Sequence, residues 1–132
     1  MKKRVLCIGL LLIVLCCVVS CSNAPRTIPS ALSKANGFIE EWNRSDKRYM
    51  NYNYTATYSP EDKTYTVDMH PYTFSQTMMT RAIVLDSVEI IYETLKTECF
   101  ANVRSVKIKI NVYAYQGELR FIYDGRTLEF VG

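Results

Sequence analysis

Apolar residues recur at every second position from Met50 to Tyr58 and from Tyr65 to Met69, and again, with turn residues between, along Ile110–Phe130, and this alternation constrains the fold more than any other feature of the chain. Successive side chains of a strand point to opposite faces, so a period of two describes a sheet with one buried face. In the first run Met50, Tyr52, Tyr54, Ala56 and Tyr58 share one parity, while Asn51, Asn53, Thr55 and Thr57 share the other. If Pro60-Glu61-Asp62-Lys63 forms a loop, Tyr58 faces Tyr65, Ala56 faces Val67 and Tyr54 faces Met69, and both strands agree on the apolar face. In the second run Gln116-Gly117 and Asp124-Gly125 read as two-residue turns. They predict the apolar rows Ala114, Leu119, Phe130 and Val112, Phe121, Leu128. The opposite face then holds Tyr113, Arg120 and Glu129 in one row, a cross-strand charge pair beside a ring.

Between the two runs the period changes. Phe74, Met78, Ala82, Leu85, Val88, Tyr92, Leu95 and Cys99 step by three or four, with Val84 and Ile91 widening the stripe, which predicts a long helix over about 74–100. Leu32, Ala35, Phe38, Ile39 and Trp42 predict a shorter one over about 30–43, with Ser30 as its N-cap. The expected fold is α+β: a short N-terminal helix, a β-hairpin, a long helix and a three-stranded antiparallel meander. These would build one antiparallel sheet of about five strands, with the long helix packed on one face. How the hairpin joins the meander is left open.

The N-terminus is of another kind. Met1-Lys2-Lys3-Arg4 leads into an apolar run of about 15 residues, Val5 to Val19, and no acidic residue precedes Cys21. A membrane-spanning helix needs roughly 20 residues, so the run fits a secretory signal peptide better than a permanent span. Its end, Val18-Val19-Ser20-Cys21, resembles the lipobox of bacterial lipoproteins. That resemblance implies a diacylglyceryl group on the Cys21 thiol, cleavage just before it and, often, acylation of the new amino terminus. Cys16 and Cys17 fit less well, because Leu15 and Cys16 would then stand where small residues are wanted. Residues 1–20 are thus expected to be the signal peptide, 21–29 the lipidated cysteine with a polar tether containing Pro25 and Pro29, and 30–132 one domain. The expected partner at this end is the membrane, reached through the anchor at Cys21. Ser22 is not the aspartate that holds lipoproteins at the inner membrane in enteric-type bacteria, so a two-membrane host would place the protein at the outer membrane.

The 16 basic and 13 acidic residues balance once Lys2, Lys3 and Arg4 leave with the signal, which argues against a nucleic-acid binder. Cys7, Cys16 and Cys17 lie in the signal and Cys21 carries the lipid, so Cys99 stands alone, no disulfide framework is possible, and burial on the helical stripe is expected. His70 is the one histidine and no serine has a nucleophile-elbow context. Glu61-Asp62 suits a loop, Glu40-Glu41 a solvent-facing helix side, and Gly117 and Gly125 suit turns. No catalytic residue, metal site or cofactor is expected. Asp86-Ser87-Val88 resembles a short O-glycosylation signal of some gut bacteria, but it lies mid-helix.

Tyrosine is in excess, with ten in the chain. Tyr52, Tyr54 and Tyr58 share the apolar parity and read as core. Tyr49, Tyr113 and Tyr115 do not, and with Arg120 they form the candidate contact surface, since tyrosine gives contact area at little entropic cost. The expected role is a non-enzymatic, membrane-tethered accessory domain that binds another envelope protein or a cell-surface ligand through the exposed sheet face or a hairpin end. The alternatives are a small envelope enzyme or inhibitor with a site assembled from dispersed residues, and a structural subunit of a secretion or conjugation apparatus.

Overall fold

The computed structural model describes residues 23–44, 52–72 and 80–132. In chain order these form α1 (Ile28–Arg44), β1 (Tyr52–Ser59), β2 (Thr64–Pro71), α2 (Arg81–Glu98), β3 (Lys107–Tyr113), β4 (Leu119–Tyr123) and β5 (Leu128–Phe130). The strands make one five-stranded sheet in the order β1-β2-β3-β4-β5, so the domain is α+β.

The first hairpin has the expected register, with Tyr54 opposite Met69, Ala56 opposite Val67 and Tyr58 opposite Tyr65. The junction with the meander corrects the expectation of an antiparallel sheet: β2 and β3 run parallel, Val67 beside Ile110 and Met69 beside Val112. The cause is the connection. An 18-residue helix rises about 27 Å, close to the roughly 26 Å of the eight-residue β2. α2 therefore carries the chain back to the end where β2 began, and β3 sets out in the same direction.

The meander departs from expectation in both turns, each for a local reason. Val112 faces Phe121 as expected, but Tyr113 then faces Leu119, so Arg120 is the extra residue of a β-bulge. The turn is one residue longer than the expected pair, spanning Tyr115, Gln116 and Gly117, with the Ala114 N–H donating to the Glu118 carbonyl and Gly117 at φ +97°. The expected row Ala114, Leu119, Phe130 is thereby broken. Between β4 and β5, Phe121 faces Phe130 and Tyr123 faces Leu128, a shift of two residues from the pairing of Phe121 with Leu128. Asp124 explains it: its Oδ1 accepts the N–H groups of Arg126 and Thr127, both at 2.9 Å, and holds residues 124–127 as a wider loop. A two-residue shift preserves parity, so Phe121 and Leu128 stay on the buried face.

Both helices cover that face. α1 begins at Ile28, and its N-cap is Thr27, whose Oγ1 accepts the Ser30 N–H, instead of Ser30 itself. Packing starts earlier still, because Ala24 is buried and its carbonyl accepts a bond from Asn102 Nδ2. Ala31, Ala35, Ile39 and Trp42 form the inner stripe of α1, and the Trp42 ring lies 5.7 Å from that of Tyr54. α2 begins at Arg81, after Thr80 in extended backbone (φ −68°, ψ 144°), so the helix does not run unbroken from about residue 74. Phe74 and Met78 lie outside the described residues. The buried stripe of α2 is Val84, Ser87, Val88, Ile91 and Leu95, followed by Cys99, with Leu85 and Tyr92 at its margin and Ala82 exposed. Gly125 is held by more than its turn: its φ is +97°, and a Cβ there would overlap the Tyr92 ring.

Candidate functional site

No described residue of the opposite sheet face is buried. It carries Asn53, Thr55 and Thr57 on β1, Thr66, Asp68 and His70 on β2, Lys109, Asn111 and Tyr113 on β3, and Ile122 on β4. Strand parity puts these side chains there, and the parallel β2–β3 pairing decides which of them meet. Asp68 lies beside Asn111 in the ladder, and Asn111 Nδ2 donates to Asp68 Oδ1 at 3.0 Å. That bond fixes the amide, leaving Asn111 Oδ1 buried without a partner. Two residues further along, the His70 and Tyr113 rings stack at 4.4 Å and 16°. Burial, then the Asp68 carboxylate, push the Tyr113 hydroxyl above its ordinary pKa, so it is a neutral donor at physiological pH.

Of the expected contact residues, the structure gathers three at the β3–β4 end. Tyr113 is half-buried in its stack with His70. Tyr115 stands at the turn, 54% exposed. Arg120, aimed by the bulge, meets Glu118 at 3.3 Å and donates to the Gly132 carbonyl. The expected row of Arg120 with Glu129 does not form, since Glu129 faces Ile122. Tyr49 and Cys21 lie outside the described residues. Asp68, His70 and Asn111 were missed as a group. Their shared polar parity was legible, but their adjacency depends on a parallel pairing between segments some forty positions apart.

Chemically the face offers a carboxylate, an amide, a neutral phenol and an imidazole in fixed positions, a set suited to hydrogen bonding. Among the described residues no three His, Cys, Asp or Glu side chains cluster as a metal site would require. Ser87 of the glycosylation-like triplet is buried and its hydroxyl donates to the Ile83 carbonyl, which closes it to modification in the folded domain. Cys99 is fully buried, and burial pushes its thiol up to about 11, as expected of an inert core cysteine. Comparison of the chain with protein-family models, with curated proteins and with solved structures finds no match in any of the three.

Proposed function

We propose that the protein is an exported lipoprotein, anchored through Cys21, whose domain binds an envelope protein or cell-surface ligand without catalysing a reaction. The observation that carries this reading is the open sheet face, where Asp68, Asn111, His70 and Tyr113 are held by one another and no described helix covers them. A sheet with one face bare and its polar side chains already ordered loses little entropy on docking a partner. His70, the residue around which a catalytic site would have to be built, stacks flat on Tyr113, which favours contact over proton transfer. In a two-membrane host the anchor would sit in the outer membrane.

Two experiments test this. Labelling with a radioactive fatty acid should mark the wild type and leave Cys21→Ala unmarked; equal labelling would remove the anchor from the proposal. Capture from membranes in mild detergent should recover a stoichiometric partner that Thr55→Lys/Thr57→Lys, on the open face, loses and Glu89→Lys, on the outer side of α2, keeps. Loss of the partner with both variants, or with neither, would overturn the open face as the binding surface.

A further inference from the structure

At the opposite end of the sheet from His70 and Tyr113, the ladder is incomplete. β4 pairs with β3 only from Ile110 onward, so Lys107–Lys109 is bonded to β2 on one side and, among the described residues, has no strand on the other. The end of α2 and the segment after it close over this gap, leaving a notch of about 570 Å³. That is the size range of small-molecule sites. Its walls are apolar and aromatic, with Tyr92, Phe100, Ile108 and Ile122 among them.

Its charge is one-sided. Lys96, Arg104, Lys107 and Lys109 line it, against Asp124 as the single acid. Among the described residues none of these four cations makes an ion pair. Asp124, kept ionised by the Thr127 and Arg126 N–H groups of its own loop, offsets one of the four charges and leaves a net excess of positive charge. A domain whose mature charges balance has thus concentrated unpaired cations around one cavity. Several cations converging in a partly enclosed cleft favour a multivalent anion, and a guanidinium among ammonium groups suits phosphate oxygens. The aromatic wall gives an attached apolar body somewhere to lie.

We propose that this notch is a binding site for a phosphate ester carrying an apolar or aromatic body, a site at the free edge of β3 that meets the open face at Lys109 and Ile122, at the far end of the sheet from His70 and Tyr113. Both a phospholipid headgroup and a soluble phosphate ester have this chemistry, and two probes tell them apart: dihexanoyl phosphatidic acid and naphthyl phosphate. Calorimetric titration of the full chain in nonionic detergent should show at least one of them binding, displaced by pyrophosphate. The tighter probe assigns the source. Lys107→Gln/Lys109→Gln should weaken binding by roughly tenfold or more, the loss of at least one charged contact, with an unchanged thermal melt. Arg44→Gln, an exposed cation on α1, should leave the affinity as it is. Should the melt of the double variant shift, Arg104→Gln, outside the strands, serves in its place. Binding of neither ester, binding of pyrophosphate alone, or equal affinity in wild type and cation variants would overturn the proposal.

Discussion

The two faces of the sheet come from the same strands and obey the same alternation, yet one is a buried core and the other has no cover among the described residues. On the covered face Val67, Met69, Ile110 and Val112 have no exposed surface at all. On the open face Asp68 and Asn111, one position along the same strands, remain partly exposed. The difference lies in the connections. Three of the joins between neighbouring strands are hairpins, which stay within the sheet, so α1 and α2 are all that is described to cover it, and both lie on one side. An antiparallel sheet can leave a face in water, whereas a parallel pair is usually covered on both. Here β2 and β3 are parallel, and among the described residues helices cover them on one face alone, with the Asp68, Asn111, His70 and Tyr113 group on the other.

The same contrast holds between the edges. β1 is an outer strand, but Asn43 of α1 acts as a short extra strand: its Nδ2 donates to the Tyr54 carbonyl at 2.8 Å, and its Oδ1 accepts the Tyr54 N–H at 2.7 Å. Among the described residues the β5 edge has no such clip, and it is kept short, three residues, with Phe130 60% exposed. Both are ways of limiting unwanted strand pairing.

Perturbing the covered face should have the largest effect. Phe121→Ala removes a buried ring that packs on Phe130 and should cost roughly 3–5 kcal/mol in urea melts, a large share of the roughly 5–15 kcal/mol that hold such a domain together. Alkaline pH should act on the same face. The Cys99 thiol titrates near 9.0 when unfolded and near about 11 when folded, because burial disfavours the thiolate. Its contribution is complete below pH 9 and is lost as the pH rises towards 11, a decline of roughly 2–3 kcal/mol. Cys99→Ala should make the decline between pH 9 and 11 shallower, leaving the share that the buried Tyr52 and Tyr65 hydroxyls contribute in the same direction, and an unchanged alkaline slope would contradict it. Removing the edge clip with Asn43→Ala should cost roughly 1–2 kcal/mol, since water can reach the freed Tyr54 groups; hydrogen exchange at the Tyr54 amide should accelerate as well. On the open side the effect should be smallest: Arg120→Ala is expected to cost under about 1 kcal/mol, as partly exposed ion pairs do. Should Arg120→Ala prove more damaging than Phe121→Ala, the assignment of faces would be inverted.

What the sequence by itself determined is which residues share a face. Parity and helical spacing are properties of neighbouring residues, so Tyr52, Tyr54, Tyr65, Phe121 and Leu128 could be assigned to the core, and the first hairpin could be registered through its loop. Even the errors kept parity where the chemistry was local: the Asp124 side chain widened a turn by two residues without turning Leu128 outward. The Arg120 bulge shifted register by one, and there the predicted row failed. The tertiary structure alone decided the rest. Whether β3 runs parallel to β2 depends on where a helix sets the chain down, and that follows from packing over the whole sheet. Asp68 meets Asn111, His70 meets Tyr113, and Lys96, Arg104, Lys107 and Lys109 share a notch only after that choice is made. Polar surface residues gain little energy from their own neighbours in sequence, so nothing in the local pattern records which distant residues they will face.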